Sequence, residues 1–92
     1  MKSIMQQEKE CYICGGTLNL HNHHIYFGHG KRSISDKHGF TVWLCWEHHE
    51  GKTGVHLNRE IDLLVKKNCQ LKYESTGHST EEFIKLIGRN YK

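Results

Sequence analysis

The chain has 92 residues, enough for one domain but too few for two ordinary domains or for a large hydrophobic core. Its net charge of +3 permits a nucleic-acid partner but is common among soluble proteins, so charge alone decides little. The sequence has no apolar run of the length that a membrane span or a secretory signal requires, and we therefore expect a cytoplasmic protein without membrane contact.

The chain opens with a polar stretch, residues 1–10, that we expect to be disordered. A Cys11-x2-Cys14 pair followed by two glycines comes next, which is the pattern of a zinc knuckle. In a reducing compartment such a pair holds a metal more often than it forms a disulfide. A bound metal ion adds stability to a domain whose hydrophobic core is small, so these cysteines are candidate zinc ligands.

Two short strands are predicted after the knuckle. Residues 17–27 contain a strand whose polar insert, His21-Asn22-His23-His24, is hard to explain by packing. Residues 28–39 are charged and rich in glycine, which predicts an exposed loop. Residues 40–45 are β-branched and aromatic and predict a second strand that ends at a cysteine.

The second half of the sequence is predicted to be helical. A short helix can begin at Glu47, but glycines at 51 and 54 interrupt it. Asn58 is a helix cap, and apolar residues follow it at helical spacing to about Tyr73. The residues expected on the buried face of that helix are Ile61, Leu64, Val65 and Cys69. Ser79 and Glu82 form a capping-box pattern before a last helix that stops at Gly88.

A second half-site for zinc lies at the end of the second predicted strand, where Cys45 and His48 are separated by two residues. Two such pairs complete the four ligands of a structural zinc site, so we predict that Cys11, Cys14, Cys45 and His48 bind one zinc ion. This ion would join the knuckle to the second strand and stabilise a thin core. Buried cysteines without a metal are the alternative. Cys69 has no partner at ligand spacing and is predicted to be a core residue.

Four further histidines, His23, His24, His49 and His56, form a second group once the zinc ligands are set aside. Hydrolysis of a phosphodiester bond with one metal ion needs neutral side chains that hold the ion and a separate base that deprotonates water. Histidine can serve in either role, because its pKa near 6.5 leaves it largely neutral at physiological pH. His21, His38 and His78 are expected to be ordinary solvated or hydrogen-bonded side chains, whereas His29, beside the predicted active loop, is left open.

This order of residues resembles the HNH, or ββα-metal, endonucleases. That family has a zinc knuckle, a strand ending in an Asp-His or His-His pair, a second strand and a helix with metal-binding histidines. The resemblance covers about residues 11–58. It implies an α+β fold, a small zinc-stabilised ββα-metal (HNH) domain with C-terminal helices, in which residues 11–57 form the core and residues 58–92 a helical extension of the same domain.

By this resemblance His24 corresponds to the general base, and His23 to the catalytic metal ligand beside it. His49 and His56 correspond to the two metal-binding histidines of the helix, so His23, His49 and His56 would hold one catalytic divalent ion, Mg²⁺, Mn²⁺ or Zn²⁺. The chain departs from the family twice. Its two helix histidines stand further apart than usual, and Phe40 occupies the position of the family's asparagine.

Without that asparagine another residue must orient His24, and Ser35 and Asp36 in the predicted loop are the candidates. Further segments, among them HHIYFGHGKRSIS, LCWEHHEG and FIKLIGRNYK, are similar to small phage and prophage proteins grouped with the recombinase-dependent phage nuclease Ref. This similarity implies a phage or prophage gene, action in the cytoplasm of a bacterial host, and a bacterial recombinase or another phage protein as a partner. Both a monomer and a homodimer remain open.

The expected function is that of a metal-dependent DNA endonuclease or nickase. Lys31, Arg32 and Lys52 are candidates for binding DNA phosphates, although a solvated loop would carry the same residues. The alternative is a zinc-binding adaptor of HNH fold that recognises nucleic acid or protein without cutting it. The missing asparagine and the wide histidine spacing favour that alternative, since both are compatible with a decayed active site.

Overall fold

The structure is a computed structural model, and it describes residues 2–92. These residues form a small α+β unit with one two-stranded antiparallel sheet and four helices. The elements are β1 (Leu20–His24), α1 (Lys31–His38), β2 (Thr41–Cys45), α2 (Trp46–His49), α3 (Arg59–Ser75) and α4 (Thr80–Ile87). Within residues 2–92, none of the helices combines the length and the apolar character needed to cross a membrane.

The antiparallel pairing of β1 and β2 determines which histidines lie near α2. Leu20 pairs with Cys45 and His24 with Thr41, so β1 begins beside the strand end from which α2 continues. Side chains alternate between the two faces of a strand, which gives His21 and His23 the same face and His24 the opposite one. Both predicted strands are confirmed, with shorter bounds than the sequence pattern suggested.

The prediction of a loop between the strands is wrong for residues 31–38, which form α1. Gly30 and Gly39 flank this helix in left-handed conformations, with φ of 83° and 74°. Ser35 is its one fully buried residue, and its hydroxyl donates to the carbonyl of Tyr26 at 2.6 Å and accepts from the Tyr26 amide at 3.0 Å. A short polar helix of this kind is stabilised by tertiary contacts, so its sequence carries little periodic signal.

Residues 3–6, which were expected to be disordered, run along the outer edge of β2. The Ile4 amide donates to the Gly39 carbonyl at 2.9 Å, and the Gln6 side-chain oxygen accepts from the Trp43 amide at 2.7 Å. The Ser3 hydroxyl also donates to the Thr41 carbonyl. The polar residues of the N-terminal stretch thus provide partners for backbone groups at the edge of β2.

The C-terminal helices begin and end close to the predicted positions. Asn58 accepts hydrogen bonds from the amides of Glu60 and Ile61, and Ser79 and Glu82 form both bonds of the capping box. Cys69 is fully buried, as predicted, but Leu64 is 52% exposed and does not face the core.

An aromatic core lies between the sheet and the helices. Tyr26, Phe40 and Phe83 are its largest members, and all three are almost fully buried. The Tyr26 hydroxyl donates to the Lys66 carbonyl at 2.6 Å and so fastens α3 to the chain that follows β1. Phe40 packs against both Tyr26 and Tyr73 and is therefore a structural residue.

Candidate metal centres

Four side chains meet where the knuckle contacts the end of β2. The potential ligand atoms of Cys11, Cys14, Cys45 and His48 all lie within 4.8 Å of one another. The His48 Nδ1 is 3.2 Å from the Cys45 Sγ and 3.6 Å from the Cys11 Sγ, and the Cys14 and Cys45 sulfurs are 3.8 Å apart. This set could hold a metal such as zinc, as the sequence spacing predicted.

Backbone hydrogen bonds shape the knuckle independently of the side chains. The Cys11 amide donates to the Gly16 carbonyl at 2.8 Å, and the Gly15 amide donates back to the Cys11 carbonyl at 2.8 Å. The Tyr12 amide donates to the Trp43 carbonyl at 2.8 Å and connects the knuckle to β2. The Cys11/Cys14 pair and the Cys45/His48 pair are therefore brought together by the backbone of the fold.

The thiol chemistry of this cluster suits a metal. All four cysteines are free of disulfide bonds. Burial acts to raise the pKa of the Cys11 thiol, but hydrogen bonds from the amides of Cys14, Cys45 and Ile13 outweigh it, and the pKa falls to about 6. Cys11 is consequently a thiolate at neutral pH, which is the form that binds zinc.

Three histidines form a second cluster on the side of β1 that faces α2. Potential ligand atoms of His23, His49 and His56 lie within 4.8 Å of one another. The His49 and His56 Nε2 atoms are 3.1 Å apart, and the ring of His23 lies 5.2 Å from the His49 ring and 5.3 Å from the His56 ring between centroids. The structure thus brings together the three residues that were predicted to hold a divalent ion.

The wide spacing between His49 and His56 is accommodated by a turn that folds back over α2. The Val55 amide donates to the His48 carbonyl at 3.0 Å, and the His56 amide donates to the His49 carbonyl at 3.4 Å. Gly51 lies against the Glu47 backbone, where a Cβ atom would be only 2.5 Å from the Glu47 carbonyl oxygen. Glycine at this position permits the close return of the chain and places the two imidazoles side by side.

His23 is buried, with 3% of its surface exposed, and among the described residues its Nε2 has no hydrogen-bond partner. Burial, reinforced by the neighbouring His49 and His56, lowers its pKa to about 3. The ring is therefore neutral. A buried nitrogen lone pair without a partner is costly and uncommon, so an ion bound between the three histidines would explain it.

His24 lies on the opposite face of β1 from His23, and its side chain contacts Asp36 of α1. Its Nε2 is 3.5 Å from Asp36 Oδ1, and the Asp36 side chain is 73% exposed. Of the two residues considered for orienting His24, Asp36 is the one that contacts it, because the Ser35 hydroxyl is occupied by the Tyr26 backbone.

A cavity of about 300 Å³ joins His24 to the three-histidine cluster. Its lining residues are Asn22, His23, His24, Phe27, Arg32, His49 and His56. Of the three predicted phosphate contacts, Arg32 lines this cavity, whereas Lys31 and Lys52 do not. Arg32 is the lining residue with a permanent positive charge, and it could contact an anionic group in the cavity.

Comparison with known proteins gives no family for this chain. It matches no protein-family model, no curated protein and no solved structure. The chemistry of the cavity is therefore inferred from its own residues.

One residue of this region was not expected from the sequence. His21 was treated as an ordinary side chain, yet its Nδ1 lies 2.9 Å from the His49 Nδ1. The sequence could have indicated this contact, because side chains two residues apart in a β-strand lie on the same face, and His21 precedes His23 by two residues. By contrast, His38 stacks on Phe40 and His78 on Tyr73, both away from the metal clusters.

Proposed function

We propose that this protein is a metal-dependent DNA endonuclease or nickase of the HNH (ββα-metal) type. The observation that carries the proposal is the clustering of ring nitrogens of His23, His49 and His56 beside a cavity that His24 and Arg32 also line, together with a buried His23 Nε2 that has no partner among residues 2–92. Three imidazoles could hold one divalent ion, and a fourth histidine that lines the same cavity could serve as a base.

The Cys/His cluster has a structural role in this proposal. Four protein ligands leave no open position for substrate, which is typical of structural zinc sites. Its zinc would hold His48 in place, and His49, the next residue, would be fixed with it. The two centres are thus coupled through the backbone of α2.

The divalent ion would neutralise charge on the scissile phosphate and on the leaving oxygen. The chain's own residues provide the remaining chemistry. His24 accepts a proton from a water molecule as the water oxygen bonds to phosphorus and the phosphorus–ester oxygen bond breaks. The Asp36 carboxylate, 3.5 Å from the His24 Nε2, would favour a proton on Nε2 and leave the Nδ1 lone pair of His24 available for the proton of the water.

Arg32 would bind a non-bridging phosphate oxygen and hold the backbone of the nucleic acid in the cavity. Lys31, at the start of α1, and Lys52, in the turn after α2, would contact neighbouring phosphates outside it. These contacts would be made to the sugar–phosphate backbone of the nucleic acid and would not distinguish one base from another. We therefore expect cleavage with little sequence preference. A recombinase partner and a phage origin stay predictions from the sequence resemblance.

The test is the incubation of the purified protein with supercoiled and single-stranded circular DNA, with Mg²⁺, with Mn²⁺, or with a chelator. We expect nicking or linearisation that requires the ion, and its loss in His24→Ala without loss of zinc or of DNA binding. His78→Ala is the matched control, because His78 is an exposed histidine outside the metal clusters. Cleavage by His24→Ala at the wild-type rate would show that His24 is not the base.

The second candidate is a zinc-binding adaptor of the same fold that recognises nucleic acid or protein without cutting it. It is favoured by Phe40, which stands in place of the family's asparagine and is fully buried in the core. Metal analysis separates the two functions. An adaptor would bind one zinc per chain, whereas the nuclease would bind a second, exchangeable divalent ion.

A further inference from the structure

The two ring nitrogens of His49 face different groups. Its Nε2 lies 3.1 Å from the His56 Nε2, within the three-histidine cluster. Its Nδ1 lies 2.9 Å from the His21 Nδ1 and 3.3 Å from a carboxylate oxygen of Glu50. The side chain of His49 is 15% exposed, so these neighbours provide most of its polar surroundings.

A neutral imidazole has one N–H and one lone pair, so the position of the proton on His49 decides which nitrogen can bind a metal. The contact between two Nδ1 atoms is ambiguous by itself, because either histidine can donate to the other. Glu50 biases the choice, because the negative charge of an ionised carboxylate 3.3 Å from Nδ1 favours an N–H over a lone pair on that nitrogen. Its oxygen beside the His49 Nδ1 favours the tautomer that carries the proton on Nδ1 and leaves the lone pair on Nε2.

We propose that His21 and Glu50 are positioning residues for His49: His21 accepts its Nδ1–H, the negative charge of Glu50 favours a proton on that nitrogen, and the Nε2 lone pair is thereby directed toward a metal ion shared with His23 and His56. This inference rests on the proposed metal site. Partners of this kind fix the tautomer and the ring orientation of a metal-binding histidine and raise its basicity. The rings of His21 and His49 meet edge to face at an interplanar angle of 87°, with centroids 5.0 Å apart, so the contact also restricts rotation of His49.

His21, His49 and Glu50 have ligand atoms within 4.8 Å and could themselves hold an ion at the His49 Nδ1. Since neutral His49 has one lone pair, it cannot serve both clusters at the same time. The burial of His23 decides between them. Its buried Nε2 has no hydrogen-bond partner among residues 2–92 and would gain one from an ion, whereas Glu50 is 48% exposed and can be hydrated.

The experiment measures the affinity of the 92-residue chain for Co²⁺ and Mn²⁺ by calorimetry and by the visible spectrum of bound Co²⁺, with structural zinc quantified separately. We expect His21→Leu and Glu50→Gln each to weaken binding about 10- to 100-fold without loss of zinc. His21→Gln should retain most of the affinity, because its amide oxygen can accept the same N–H. His78→Ala is the matched control with unchanged affinity.

A second readout needs no added metal. Nitrogen NMR shifts of His49 report which ring nitrogen is protonated, and we expect Nδ1 in the wild type and a mixture of tautomers in Glu50→Gln. Unchanged metal affinity in both His21→Leu and Glu50→Gln would overturn the proposal. So would loss of binding in these variants with binding retained in His23→Leu, since His21 and Glu50 would then be ligands. Absence of DNA cleavage with these affinities as expected would refute the nuclease function alone.

Discussion

Replacing His23 by leucine separates what this residue costs the fold from what it contributes to metal binding. In the wild type the imidazole of His23 is nearly fully buried, and its Nε2 has no hydrogen-bond partner within the part of the chain that the structure describes. An unsatisfied buried polar atom costs roughly 1–3 kcal/mol, and an apolar side chain of similar size removes that cost. Without an added divalent ion we therefore expect His23→Leu to be more stable than the wild type by about 1–3 kcal/mol at pH 7.

The stability advantage of His23→Leu over the wild type should increase as the pH falls. The pKa of His23 is lowered to about 3 in the folded protein, below its ordinary value of 6.5, because burial disfavours the charged ring. Between these two values the unfolded chain binds a proton that the folded chain does not, so the wild type loses stability as the pH decreases. At about pH 5 this proton uptake lowers the free energy of unfolding of the wild type by roughly 2 kcal/mol. His23→Leu has no imidazole at this position and does not lose that stability.

Urea denaturation at several pH values measures both effects, with zinc content checked in each sample. In a domain of this size 1 kcal/mol corresponds to roughly 4–8 °C in Tm, so thermal unfolding resolves the difference as well. The same variant should lose Mn²⁺ binding at the three-histidine cluster and lose DNA cleavage. A less stable His23→Leu at pH 7 would refute the reasoning, because it would show that the imidazole is retained for packing.

Three further predictions concern the rest of the molecule. Cys45→Ser should abolish zinc binding and cooperative unfolding, since the site contributes folding free energy directly; a normal Tm by circular dichroism would contradict this. Arg32→Ala should weaken DNA binding uniformly across sequences and reduce the slope of log affinity against log salt by about one, which fluorescence anisotropy can measure; an unchanged slope would exclude a phosphate contact. Ser79→Ala should lower the free energy of unfolding by about 1 kcal/mol in urea and leave metal binding unchanged, and equal stability would mean that the capping box contributes nothing.

The candidate metal ligands could be predicted from the sequence because ligand spacing is a local property. Cys11 and Cys14 lie on one turn, and the Cys45/His48 pair begins where a predicted strand ends, so their approach requires only that the knuckle contact that strand. The caps at Asn58 and Ser79 were predictable for the same reason, since each depends on residues two or three positions away.

Features that depend on tertiary contacts were missed. Residues 31–38 look like a loop because they are polar, and tertiary contacts, among them the bonds of Ser35 to Tyr26 and the packing of Ile34 against the core, stabilise them as a helix. The role of His21 depends on the exact pairing of the strands, which brings its ring to His49. Residues 3–6 show no periodic pattern, and their order comes from the backbone groups that β2 offers along its edge.

The decisive measurement is anomalous diffraction from crystals of the protein soaked in Mn²⁺, with data collected on both sides of the zinc edge and at a wavelength sensitive to manganese. We expect a zinc peak among Cys11, Cys14, Cys45 and His48 and a separate manganese peak bound by the ring nitrogens of His23, His49 and His56. A manganese peak elsewhere, or no peak between those three imidazoles at saturating Mn²⁺, would contradict the proposed catalytic centre.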